Sequence, residues 1–158
     1  MTNLDPQFVT TGPLLIAGLR EEMNEDSGKS IPLLWKKFAP FIGATTHQLG
    51  RNCYGLCVAS DTSQQAFYYM AGVEVSDFAD VPPTLSRVIL PSQRYAVFPH
   101  NAHVSQIKQT IDAIFDQWLP NAEVKHMNQS LHFFERYSEV YNPQTGLGGM
   151  EIWLPVSN

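Results

Sequence analysis

The sequence has no long apolar run, no cluster of positive charge and only two cysteines. No run approaches the roughly 18 apolar residues of a membrane-spanning helix, so we expect no membrane association. Lys and Arg number 10 against 15 Asp and Glu, and the formal net charge is −5. Because nucleic acids are bound through clustered cations, this balance predicts no direct contact with them.

Two further absences concern location and chemistry. Residues 1–6 lack the charged-then-apolar pattern of a secretion signal, so we expect a cytoplasmic protein. Cys53 and Cys57 would lie about 13 Å apart on a strand, too far for a disulfide, which predicts two reduced thiols. The histidines lack the spacing of a zinc site and no phosphate-binding glycine loop occurs, so we expect neither a metal nor another cofactor.

The residues that are present are typical of a globular α+β domain. The chain has 158 residues, 44% of them hydrophobic and 11% aromatic, and can bury roughly 70% of its unfolded surface. Helical spacing of apolar residues predicts helices at 30–40, with Ser30 as N-cap, and at 104–118, with Asn101 as N-cap. Aromatic and β-branched runs predict strands at 8–19 (interrupted at Gly12-Pro13), 53–59, 66–75, 87–90, 94–98, 131–137 and 150–156.

The order of these elements repeats, which indicates an internal duplication. At an offset of 80 residues, Trp35 falls on Phe115 and Pro40 on Pro120, while Gly55 falls on Glu135. Near the end the offset drops to 77, where the segment 72–75 falls on 149–152. We expect a first module at about 8–76, a linker at 77–84 and a second module at about 85–156. Such modules would pair about a pseudo-two-fold axis, with the helices on one face of the sheet and a concave surface on the other.

The strand at 131–137 carries the main candidate for function. Because strand side chains alternate between faces, Phe133, Glu135 and Tyr137 share one face. Phe134 lies on the other face, which we expect to pack against the helices. A carboxylate between two aromatic rings suits ligand binding, because its charge and the rings would favour a cationic ligand. It also suits proton chemistry, because partial burial would raise its pKa. The alternative is a solvated strand glutamate.

Other strands offer further candidates for the same cleft. Glu151 and Trp153 alternate with aliphatic residues, so we place them on the open face. Glu74 stands in the corresponding position of the first module and, like Glu151, could be a second carboxylate or an ion-pair partner of an arginine. One of Tyr68 and Tyr69 must face the cleft, and the sequence does not say which. The helical stripes assign Trp35 and Trp118 to the core.

Several motifs, taken in order, resemble the GyrI-like effector-binding domain family. The resemblance covers residues from about 8 to 156. It rests on Ile31-Pro32-Leu33-Leu34-Trp35, Ala71-Gly72-Val73-Glu74-Val75, Arg94-Tyr95-Ala96-Val97-Phe98, Ile114-Phe115-Asp116-Gln117-Trp118-Leu119-Pro120, Phe134-Glu135-Arg136-Tyr137 and Glu151-Ile152-Trp153-Leu154-Pro155-Val156. It implies one such domain over residues 1–158, an α+β fold of two strand-helix-strand-strand modules that form a curved antiparallel sheet with a ligand cleft at the pseudo-two-fold axis. Since the chain has no room for a helix-turn-helix domain, we expect a stand-alone member.

The resemblance implies three functions. The first is capture of an aromatic or lipophilic, cationic small molecule, with Glu135 supplying charge and Phe133, Tyr137, Trp153 and one of Tyr68 and Tyr69 supplying walls. The second is hydrolysis of strained, cyclopropane-type genotoxins, with Glu135 or Glu151 as the catalytic carboxylate and a tyrosine, Tyr137, assisting. The third is an interaction module for a transcription regulator or a topoisomerase, acting through a protein partner or as a homodimer. In that case the acidic segment 21–26 is the candidate surface.

Overall fold

The chain folds around one antiparallel sheet with two helices. The computed structural model describes residues 4–22, 27–59, 67–127 and 131–157. The connection between the strands predicted at 53–59 and 66–75, and most of the acidic segment 21–26, therefore lie outside the described residues. The strands are β1 (Gln7–Thr11), β2 (Leu14–Glu22), β3 (Gln48–Ala59), β4 (Phe67–Val75), β5 (Ser86–Leu90), β6 (Gln93–His100), β7 (Leu131–Tyr137) and β8 (Met150–Val156).

The strand order is β1-β6-β8-β7-β3-β4-β2-β5, and every pairing of these strands is antiparallel. β3 and β7 lie at the centre, and the order of elements is the same on either side of them. The edge strands cross over between the halves: β1 pairs with β6 and β5 pairs with β2. The curved sheet of duplicated strand-helix-strand-strand units expected from the sequence is therefore confirmed.

Both helices differ in detail from their predictions. The first helix, α1, spans Ser27–Phe38 and ends in a 3-10 turn at Pro40, so the assignment of Ser30 as N-cap is wrong. The second begins with a 3-10 turn at Val104, where the His103 ring accepts the backbone N–H of Ser105. His103, not Asn101, therefore caps it. Regular α-helix, here called α2, covers Ile107–Ala113 and passes into a π-helical stretch at Ile114–Trp118. Among the described residues, no helix is long and apolar enough to cross a membrane.

The register of the central strands agrees with the offset of 80. Gly55 on β3 lies directly opposite Glu135 on β7, as expected if the two positions are equivalent and the axis passes between them. The offset of 77 for the last strands is wrong. Ala71 lies opposite Gly55 and Ile152 lies opposite Glu135, which relates β4 to β8 by 81 residues.

The two faces of the sheet bury different sets of side chains. One face packs under α1 through Ala71 and Val73, and under α2 and the π-helical stretch through Phe98 and Ile152. The other face holds an aromatic and aliphatic cluster that, in the described chain, draws only on strands. Side chains of both edge regions, Val9 on β1 and Leu90 on β5, belong to this cluster, so the sheet curves around it.

The expected assignment of faces is wrong for Glu135. Residues directly opposite each other on neighbouring strands share a face. Because Glu135 is opposite Gly55 and Ile152, it lies on the face that carries the helices. Phe134 lies on the helix-free face, where its ring stacks on Trp153 with centroids 5.2 Å apart.

Candidate functional site

Glu135 is a buried carboxylate at the centre of the sheet. It sits in the middle of the run of β7, and its side chain is 7% exposed. The strand forms here because its residues are aromatic or long and contain neither Gly nor Pro, a composition that favours extended backbone. Pairing with β3 on one side and β8 on the other fixes the backbone of Glu135, so its carboxylate is held on a rigid element.

Two tyrosine hydroxyls bind the same carboxylate oxygen. Tyr69 and Tyr137 each donate to Oε1 of Glu135 at 2.8 Å. The indole Nε1 of Trp35, on α1, donates to the Tyr69 hydroxyl at 3.0 Å. Because an indole N–H can only donate, the Tyr69 oxygen accepts from Trp35 and its proton points to Glu135. Hydrogen-bond donation thus runs in one direction, from Trp35 on α1 to Tyr69 on β4 and from Tyr69 to Glu135 on β7.

The second carboxylate oxygen remains available. Within the part of the chain that the structure describes, Oε2 of Glu135 accepts no hydrogen bond, and the residue keeps 7% of its surface exposed. No Lys, Arg or His of the described residues forms an ion pair with this carboxylate either. A ligand atom could therefore approach Oε2 while Oε1 keeps both hydroxyls.

Burial controls protonation in the site. It raises the pKa of Glu135 above its usual value, whereas the hydrogen bonds from Tyr137 and Tyr69 act in the opposite direction. Burial, followed by the charge of Glu135, holds the pKa of both tyrosines well above the usual range. Both hydroxyls therefore remain protonated donors. Burial and the same charge raise the pKa of Cys57 to about 12, which makes this neighbouring thiol a poor nucleophile.

Aromatic rings surround the carboxylate, and two of them were not predicted as site residues. Trp35 lies edge-on to Tyr137, with centroids 5.7 Å apart, and is only partly buried. Tyr141, in the β7–β8 connection, packs on Tyr137 at 5.1 Å and is also partly buried. The helical stripe assigned Trp35 to the core, and nothing in the local sequence marks Tyr141. Of Tyr68 and Tyr69, it is Tyr69 that lies beside Glu135, since Tyr68 faces the helix-free side.

Four of the predicted site residues lie on the opposite face from Glu135: Tyr68, Glu74, Glu151 and Trp153. Their placement in one cleft with Glu135 is wrong, because β7 turns its odd-numbered positions toward the helices. Trp153 is 6% exposed within the helix-free cluster. Glu151 pairs with Arg136 at 2.6 Å, which is the ion-pair alternative left open by the sequence, and it accepts the Trp153 indole N–H at 3.1 Å. Glu74 accepts a long 3.4 Å bond from Tyr54.

Phe133 shares the face of Glu135 but lies on the side of the second helix. Its ring packs near Phe115, with centroids 6.2 Å apart, and it belongs to the cluster under that helix. Among the described residues, no group of three or more His, Cys, Asp or Glu is arranged to hold a metal ion. The site is therefore one carboxylate, two donor hydroxyls and a set of aromatic rings.

Comparison with known proteins identifies the family. The model of the GyrI-like small molecule binding domain matches residues 4–157. The transcriptional regulator BrlR of Pseudomonas aeruginosa is 30% identical over 122 residues, which are 74% of this chain and 43% of the regulator. The chain thus spans less than half the length of that relative.

Two solved structures share the fold. SAV2435 bound to tetraphenylphosphonium superposes with a TM-score of 0.79 at 20% identity, over 98% of this chain and 94% of that one. A putative bacterial transcription regulation protein from Staphylococcus aureus MU50 has a TM-score of 0.72 at 20% identity, over 99% and 100%. The sequence motifs, the duplicated sheet and the family match agree, and this chain belongs to the GyrI-like small-molecule-binding domain family.

Proposed function

We propose that this chain binds aromatic or lipophilic cations at Glu135. The observation that carries the proposal is a buried carboxylate without an ion-pair partner among the described residues. A buried charge is costly unless an opposite charge compensates it. Since the described part of the protein supplies no cation, a cationic ligand would remove that cost at the free oxygen Oε2.

The rings around Glu135 favour a particular kind of cation. Trp35 and Tyr141 are partly exposed, and both pack on Tyr137. Aromatic faces attract cations by about 0.5–2 kcal/mol each and also bury the apolar surface of a lipophilic ligand. A small hydrated ion would gain little from these rings. A large organic cation with delocalised or shielded charge gains from both the rings and the carboxylate.

Calorimetry with tetraphenylphosphonium tests the proposal. This ion does not titrate, and SAV2435, which shares the fold, has been solved bound to it. We expect saturable one-to-one binding that weakens at least about tenfold in Glu135→Gln, since a buried charge pair contributes more than 1.4 kcal/mol. Glu151→Gln is the matched control, because Glu151 lies on the opposite face and should leave binding unchanged. Absence of binding, or equal binding by Glu135→Gln, would refute the proposal.

Hydrolysis of a strained electrophile is the second candidate. A carboxylate whose pKa is raised by burial, with two hydroxyl donors beside it, is equipped for general acid or base chemistry. Incubation with excess cyclopropane-bearing alkylating agent, followed by mass spectrometry, distinguishes the candidates. Multiple turnovers that are lost in Glu135→Gln support catalysis, and a stoichiometric plateau supports binding alone.

A further inference from the structure

Gly55 lies directly opposite Glu135 at the centre of the sheet. A Cβ atom there would overlap the hydroxyl oxygen of Tyr69 and would lie 2.7 Å from its Cζ and 2.8 Å from Oε1 of Glu135. Carbon atoms cannot approach this closely without displacement of the neighbour. The backbone of Gly55 is not in the left-handed region that favours glycine. Position 55 therefore requires glycine because there is no room for a side chain, and not because of its backbone conformation.

We propose that Gly55 determines the selectivity of the site for cations, because its missing side chain admits the Tyr69 hydroxyl to hydrogen-bonding distance of Glu135. This inference rests on the proposed binding function. The space that the glycine leaves is filled by a protein hydroxyl and not by a ligand. Gly55 is thus a positioning residue that acts through Tyr69.

The packing around Tyr69 explains why an added methyl group would break this contact. Tyr69 is 3% exposed and belongs to the cluster under α1, and its ring lies 6.4 Å from that of Trp35. A methyl group at position 55 would push the hydroxyl away from Oε1, or push Glu135 away from the hydroxyl. In either case Glu135 loses one of its two donors, while the carboxylate and the tyrosine remain chemically intact.

Loss of this donor should change the charge of the site. The titratable groups that face Glu135 in the described chain are the Tyr69 and Tyr137 hydroxyls and the Cys57 thiol, with Tyr141 beyond Tyr137. None of them is a cation, so the hydroxyls are what the described part of the chain provides to stabilise the carboxylate. With one donor fewer, Glu135 holds its proton to higher pH. A protonated carboxyl no longer attracts a cation and no longer repels an anion.

The test compares Gly55→Ala with the wild-type protein on three ligands of related shape. Tetraphenylphosphonium is a cation, tetraphenylborate is an anion and triphenylphosphine oxide is neutral. Near neutral pH we expect the affinity for the cation to fall roughly tenfold, the size of a lost hydrogen bond to a charged group. Affinity for the neutral ligand should change by less than about twofold, since its contacts are with the rings.

A second readout needs no ligand. The carboxyl carbon of Glu135, followed by NMR against pH, should titrate at higher pH in Gly55→Ala and in Tyr69→Phe than in the wild type. Because both changes remove the same donor, the double variant should titrate no higher than Tyr69→Phe alone. If Gly55→Ala does not fold, the double variant, which lacks the oxygen that comes closest to the added Cβ, is compared with Tyr69→Phe. There the added methyl group should leave the cation-to-neutral affinity ratio unchanged.

The outcomes separate this inference from the binding function. If the wild type binds none of the three ligands, the proposed function fails, and the NMR titration alone decides the role of Gly55. An unchanged titration midpoint in Gly55→Ala overturns the inference. Equal loss of affinity for all three ligands also overturns it, because that pattern indicates general damage to the fold. Gly72→Ala is the control for such damage, since its Cβ would approach Ile16 on the helix-free face.

Discussion

The two tyrosines of the site differ in one hydrogen bond, which allows a matched prediction of stability. Tyr137 donates one hydrogen bond, to Glu135. Tyr69 donates an equal one at the same distance and also accepts the indole N–H of Trp35. Replacement by Phe removes only the hydroxyl oxygen in each case. The difference between Tyr69→Phe and Tyr137→Phe therefore isolates the bond from Trp35.

The magnitudes follow from the kinds of bond that are lost. A hydrogen bond to a charged group contributes about 1.5–3 kcal/mol and one between neutral groups about 0.5–1.5 kcal/mol. With Glu135 ionised, Tyr137→Phe should lower the free energy of unfolding by about 1.5–3 kcal/mol. Tyr69→Phe should cost about 0.5–1.5 kcal/mol more, because the indole N–H of the partly buried Trp35 also loses its acceptor.

The cost of both variants should depend on pH. Burial raises the pKa of Glu135 on folding, so its contribution to stability is greatest below the unfolded pKa and is lost as pH rises through the folded pKa. Without a hydroxyl donor the folded pKa rises further, and more stability is lost over the same interval. The difference between wild type and variant therefore increases as pH rises.

Urea denaturation at about pH 5 and about pH 8 measures these differences. Tyr54→Phe is the control, since its hydroxyl donates a long 3.4 Å bond to Glu74 on the helix-free side of the sheet, and it should cost less than Tyr137→Phe. A cost for Tyr137→Phe that equals or exceeds that of Tyr69→Phe would refute the contribution assigned to the bond from Trp35 to Tyr69. Costs that do not change with pH would show that Glu135 carries the same charge throughout this range.

Two further predictions concern the thiols and the close strand packing. Burial raises the pKa of Cys57 to about 12, so iodoacetamide should leave this thiol unmodified in the folded protein and modify it after denaturation. Mass spectrometry that shows Cys57 alkylated as fast as the half-buried Cys53 would contradict this prediction. A Cβ at Gly18 would lie 2.6 Å from the backbone of Gly72, so Gly18→Ala should lower the free energy of unfolding by about 1–3 kcal/mol. Gly12→Ala is the control, because its Cβ would meet nothing within 4 Å. This variant should leave the free energy of unfolding unchanged or raise it by up to about 1 kcal/mol.

The sequence predicted the central strands well because their patterns are local. The bounds of β7 and β8 are those expected from their alternating aromatic and aliphatic residues. The start of α1 was placed too late, at Ser30, because proline is typical of a first helical turn and Pro32 lies further inside this helix. The π-helical stretch at Ile114–Trp118 has the same apolar stripe as a regular helix, and so the pattern could not reveal it.

Alternation predicted which residues share a face, but it could not predict which face the helices cover. Both faces of β7 are aromatic and buried, with Phe134 on one and Tyr137 on the other. When both faces are buried, hydrophobicity no longer distinguishes inside from outside. The placement of Glu151 and Trp153 beside Glu135 failed for this reason. Trp35 was missed because its bond to Tyr69 joins residues 34 positions apart, which no local pattern records.

The asymmetry of the site follows from where the pseudo-two-fold axis passes. The register of the strands shows which positions of the two modules are equivalent. At three such pairs, a polar group of the site has a small or apolar counterpart in the other module. These pairs are Glu135 with Gly55, Tyr137 with Cys57, and Tyr69 with Met150.

A fully symmetric duplication would place two carboxylates face to face at the axis. Like charges at such a distance cannot both ionise, so one of the two would hold a proton and the site would carry little more charge than it does with one. With Gly55 in place of the second carboxylate, the space on that side receives the Tyr69 hydroxyl. The same pair of positions thus removes a repulsion and adds a donor. Divergence at the axis is therefore the change by which a duplicated fold gains a single charge with a defined orientation toward a ligand.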